Sequence, residues 1–127
     1  PPPSAMTVVS RLVRKLARQS IMDSTLVIAI GEFGRTPRLN AKMARDHWSQ
    51  CYCSLWAGAG VQGGSIHGAT DELGFSAVKD QVTVQDWHAT ILHQLGLDHR
   101  KLTYNRNGFE EKLTGTFEAK LIKGILS

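Results

Sequence analysis

Three short stretches carry the side chains best suited to chemistry: "GEFGRTP" at 31–37, "RDHW" at 45–48 and "DWHATILH" at 86–93. Glu32 lies between glycines directly after the apolar run Thr25 to Ile30, and Arg35 follows three positions later. In open α/β sheets ligands gather beyond the carboxyl ends of strands, so a carboxylate there is placed to hold a ligand. The same spacing also suits a local ion pair between Glu32 and Arg35 that shapes the loop. His47 stands just before the next strand candidate, and a carboxylate oxygen with an imidazole nitrogen suits zinc or manganese. Catalytic metal centres need three or more protein ligands, so Glu32 and His47 make only part of one.

The remaining histidines are weaker candidates. His88 and His93 are five apart on a predicted helix and face different ways, unlike the i, i+4 pair of a helix-borne zinc site. His99 follows a helix end, where a cation suits the dipole, and His67 lies in a glycine-flanked loop. No Gly-x-Ser-x-Gly elbow supports a serine hydrolase. The glycine-rich "AGAGVQGG" at 57–64 lacks both the Gly-Lys-Ser/Thr of a phosphate loop and the G-x-G-x-x-G of a dinucleotide fold.

The elements that position these residues follow from periodicity. Val8, Val9, Leu12, Val13 and Leu16 form one helical face between Thr7 and about Ile21, with Arg11, Arg14, Lys15 and Arg18 opposite. The β-branched run Thr25–Ile30 predicts a strand buried on both faces, and Cys51–Ala57 predicts a second. A helix feeding such a strand through a short turn predicts an α/β fold with a largely parallel sheet. Asp86 is placed as the N-cap of a helix that Gly96 stops. Asn107-Gly108 predicts a hairpin turn, and about Thr116 to Leu126 a final helix. Cys51 and Cys53, two apart on the second strand, read as small core residues on one face.

The totals limit what such a chain does. Its 127 residues with 42% hydrophobic content suffice for one domain with a core. No apolar run approaches the roughly 18 residues of a membrane span, so no transmembrane segment is expected. The net charge of +4 is spread over helix faces and the tail, without a dense basic stripe interleaved with aromatics, which argues against nucleic acid as a partner. The proline-rich start, lacking an initiating Met, leads to the expectation that residues 1–127 are a single domain belonging to the C-terminal part of a larger one.

Read together, "GEFGRTP", "RDHW", "AGAGVQGG", "HGATDE", "DWHATILHQLGLDH" and "LTYNRNG" resemble the C-terminal portion of the sulfatase-like family known as domain of unknown function fifteen-oh-one. That family is similar to the alkaline phosphatase and sulfatase superfamily. The resemblance implies an alkaline-phosphatase-like, largely parallel sheet with flanking helices, and a parent activity of metal-dependent sulfate- or phosphate-ester hydrolysis. It further implies Glu32 and His47 as metal ligands, Arg35 as the contact to the ester anion and Asp46 as the residue orienting His47. The cofactor would be a divalent ion (zinc, calcium, magnesium or manganese), and the ligand a small anionic ester or a sulfated glycan. An exported or periplasmic setting goes with the family. Phe33 stands where the superfamily has a histidine ligand, and the superfamily's nucleophile comes from segments N-terminal to those matched here. This chain alone is therefore expected to be inactive, the alternative being a non-catalytic binding or assembly domain on the same scaffold.

Overall fold

The computed structural model describes residues 3–127, beginning with helix α1, Ala5–Arg18. The Ser4 hydroxyl caps it by accepting from the Thr7 N–H at 3.3 Å, satisfying one of the otherwise orphaned first-turn donors. Lys15 and Arg18 in the last turn suit the negative end of the helix dipole. The amphipathic pattern gives the helix its form without giving it a core, because no residue of α1 is buried and Met6 remains 61% exposed.

The expected largely parallel, alkaline-phosphatase-like sheet is not what forms. Among the described residues, four separate two-stranded antiparallel ribbons form instead. Strand β1, Val27–Ile30, pairs with β4, Ser54–Ala57, with Val27 opposite Ala57 and Ile30 opposite Ser54. Between them the chain doubles back through a small ribbon of β2, Gly34–Arg35, and β3, His47–Trp48. Parallel pairing requires a crossover, usually helical, on one sheet face. Residues 31–53 contain no helix, so β4 returns antiparallel. With only two strands in the ribbon, β1 is half-buried along most of its length and exposed at Ile30 rather than buried on both sides.

Strands β5, Ala69–Thr70, and β6, Ala77–Lys79, form the third ribbon. Helix α2, Val84–Gln94, begins earlier than Asp86 suggested: Thr83 is the N-cap, and Asp86 at N3 completes a capping box by accepting from the Thr83 N–H. The fourth ribbon, β7 Tyr104–Arg106 and β8 Phe109–Glu111, turns at Asn107-Gly108. Both turn residues have positive φ, 51° and 84°, as a type I′ turn demands. The expected final helix is replaced by irregular chain and one short turn of 3-10 helix at Lys123–Ile125.

The core lies where α2 meets the C-terminal segment. Ala89, Leu92, Ala119 and Ile122 are its buried apolar residues, around the fully buried Thr90. The Thr90 hydroxyl donates to the Asp86 carbonyl at 2.7 Å and accepts from the Ile122 N–H at 3.0 Å. The Lys120 N–H donates to the Asp86 carboxylate at 2.7 Å. Trp56 and Trp87 meet edge to face at 5.7 Å and share the Ser54 hydroxyl, joining β4 to α2. The cysteines are not core residues: the strand begins after them, Cys53 is exposed, and the half-buried Cys51 points its thiol at the Gly74 carbonyl.

Candidate functional site

The loop between β1 and β4 brings Arg35 and His47 together. They are direct cross-strand partners in the β2–β3 ribbon, and opposed residues of such a pair project on the same face. Gly34 makes the ribbon possible, because a Cβ there would lie 2.0 Å from the Cys51 carbonyl oxygen. Only a residue without a side chain admits that approach.

Phe33 organises both groups. Its ring lies against the His47 imidazole with centroids 3.9 Å apart, and the Arg35 guanidinium carbon sits 5.2 Å from the same ring. The residue expected to replace a metal-binding histidine is therefore a platform for both the candidate anion contact, Arg35, and the candidate metal ligand, His47. A guanidinium on an aromatic face gains from the ring quadrupole while keeping its donors free.

The surrounding loop is fixed by hydrogen bonds. Arg45 donates to the carbonyls of Thr36 and Pro37, both at 2.8 Å, and the Thr36 N–H donates to the Asp46 carbonyl at 3.0 Å. The Asp46 carboxylate accepts from the Asn40 amide at 2.8 Å. In this arrangement Asp46 closes the 40–46 turn. Glu32 is exposed in the bend after β1 and forms no ion pair with Arg35, so the loop-shaping salt bridge is not made. Among the described residues the ion pairs are Lys101 with Asp98 and Arg106 with Glu111, which leaves Arg35, Arg38 and Arg45 without a carboxylate within 4.0 Å.

A second cationic–aromatic contact adjoins the first. Arg38 lies over Phe75 at 5.5 Å, and Trp48 both packs edge-on against Phe75 at 5.7 Å and donates its indole N–H to the Phe75 carbonyl at 2.7 Å. Asp71 holds Phe75 in place: one carboxylate oxygen accepts from the Leu73 and Phe75 N–H groups, and the other from Ser76. The Phe75 N–H bond leads the effects that keep the Asp71 carboxyl below its ordinary range. Desolvation opposes it, and the bonds from Ser76, Leu73 and Gly74 reinforce it. Reasoning from the sequence missed this contact. The signal was local, an aspartate three residues before a glycine, which is the composition of a hydrogen-bonded turn.

The other histidines have structural settings. The His88 ring bonds the Val84 carbonyl at 2.8 Å and meets Trp87 edge-on. His99 is buried, and His67 packs over Gly124. Glu32 and His47 offer two donors of the right kind for a divalent ion. Among the described residues, however, no group of three or more His, Cys, Asp or Glu side chains is placed to hold one. The residues present do not by themselves build a metal centre.

No helix among the described residues is long and apolar enough to cross a membrane. Neither the curated proteins nor the solved structures return a match to this chain. The sequence model of one family aligns with residues 6–126, nearly the whole chain, and by that match the protein belongs to the family described as Protein of unknown function (DUF1501).

Proposed function

We propose that this chain supplies the anion-recognising part of a sulfate- or phosphate-ester site, as the sulfatase-like resemblance implies, with Arg35 contacting the ester oxygens and His47 beside it on the same ring. One observation carries the reading: Arg35 and His47 are direct partners on one ribbon, both rest on Phe33, and Arg35 has no carboxylate partner among the described residues. A planar guanidinium held with free donors suits bidentate contact with tetrahedral oxyanions. Glu32 and His47 remain the proposed contributions of this chain to a divalent ion such as zinc, calcium, magnesium or manganese, with further ligands required from outside the described residues. Hydrolysis by the chain alone is not expected.

The test is calorimetric titration of the chain with 4-nitrophenyl sulfate and 4-nitrophenyl phosphate at low ionic strength. Arg35→Gln should weaken binding by roughly three- to tenfold, the scale of one exposed charge-assisted contact. Equal affinity in the variant and the parent would refute the assignment.

The second reading, a non-catalytic binding or assembly domain, is favoured by the lack of three clustered metal-ligand side chains among the described residues. Added zinc or manganese separates the two. If Glu32 takes part in a metal site, divalent ions raise ester affinity and Glu32→Ala removes the gain; in a binding domain neither change occurs.

A further inference from the structure

Arg38 is a cation that the reading above does not use. It is exposed, has no carboxylate partner among the described residues, and rests on Phe75 as Arg35 rests on Phe33. The two arginines are three positions apart, so their Cα atoms are at most about 11 Å apart. The turn between them is pinned by Arg45 on the Thr36 and Pro37 carbonyls and by the Thr36 hydroxyl, which donates to the Arg38 carbonyl at 2.8 Å. Phe75 in turn is tied to β3 through the Trp48 indole. Two guanidiniums thus sit on two anchored rings across one rigid turn.

We infer that Arg38 is a second anion contact beside Arg35, and that the ligand of this surface carries two sulfate or phosphate esters on one sugar or on neighbouring sugars. The inference rests on the anion-recognition reading and adds the class of ligand to it. A single oxyanion cannot use both guanidiniums as well as a molecule presenting two, and tethering makes the second contact intramolecular. Single-stranded nucleic acid also carries repeated anions, but it gains much of its affinity by stacking bases on open aromatic rings. Here Phe33 is engaged by His47 and Arg35, and Phe75 by Trp48 and Arg38. The charges are offered and the rings are not.

The experiment compares a disulfated disaccharide, a sugar bisphosphate, 4-nitrophenyl sulfate and a short polythymidine strand by calorimetry at low ionic strength. A doubly esterified sugar should bind roughly three- to tenfold tighter than the monoester, and which of the two sugars does so identifies the ester. Arg38→Gln should abolish that advantage while leaving monoester affinity within about twofold, and Arg35→Gln should weaken every ligand. Arg38→Lys keeps the charge and should retain part of the advantage, which separates charge from loop packing. Monoester binding with no advantage for either doubly esterified sugar, or an advantage that survives Arg38→Gln, overturns this inference and leaves the preceding reading intact. Polythymidine binding as tight and as Arg38-dependent overturns the choice of a sugar ligand. Failure of the monoester to bind the unaltered chain overturns both.

Discussion

Phe33 organises the side chains around "GEFGRTP" more than Glu32 does. From the sequence, Glu32 was either a metal ligand or the partner of Arg35. The fold gives Arg35 an aromatic ring in place of a carboxylate and leaves Glu32 exposed in the bend. That alternative could not be resolved from spacing, because the ribbon that turns Arg35 toward His47 depends on a contact between residues far apart in sequence, Gly34 and Cys51. Gly34→Ala should therefore destabilise the loop by about 1–3 kcal/mol, since backbone must move to admit the methyl group. Urea unfolding followed by tryptophan fluorescence measures this, and an unchanged midpoint would show that the close approach is not required. Asp71 acts through Phe75. Its carboxyl titrates below the ordinary range, so the stabilisation of its loop is present above about pH 4, the unfolded value, and is lost as pH falls through the lower folded value. Asp71→Ala should remove that acid-side transition and lower the preference for doubly esterified ligands, while monoester affinity holds.

At the scale of elements, local signals were the readable ones. The stripe of Val8, Val9, Leu12, Val13 and Leu16 predicted a helix from Thr7 to about Ile21, which forms as α1 over Ala5–Arg18, and Asn107-Gly108 predicted the β7–β8 hairpin. Both depend on contacts within a few residues. Helix α2 was found but began earlier than expected, because Asp86 serves as the third residue of a capping box rather than as the cap. Its carboxylate also receives the Lys120 N–H, a partner 34 positions away that no local pattern shows. Burial pushes the Asp86 carboxyl up, yet the hydrogen bonds from Lys120 and Thr83 and the Lys120 charge together hold it below its usual value. Stability from this group is present above about pH 4 and falls as pH drops through its lower folded value. Thr90→Val keeps the shape but leaves the buried Ile122 N–H unpaired, and should cost about 1–3 kcal/mol in denaturant unfolding. A cost near zero would mean that the C-terminal segment is not held through Thr90.

For the whole molecule, accessible surface is the telling quantity. A compact monomer of 14.0 kDa exposes about 6,700 Å², whereas this chain exposes 9700 Å². The difference of about 3,000 Å² includes half of the Leu12 and Val8 side chains on α1 and nearly all of Ile66. Composition shows how many apolar residues there are, but it carries no information on whether the layers needed to cover them are at hand. The run Thr25–Ile30 reads as a strand meant for two covered faces, and here it has one neighbouring strand and stays only half-buried. The isolated chain should therefore bind the hydrophobic dye ANS. Absence of dye binding would contradict this view of its packing.

The central claim is that Arg35, held on Phe33 opposite His47, recognises an ester oxyanion. Calorimetric titration of 4-nitrophenyl sulfate into the chain and its Arg35→Gln variant at low ionic strength tests it most directly. Saturable binding that weakens roughly three- to tenfold in the variant and fades with added salt is the expected result. Identical isotherms for the two proteins would contradict it.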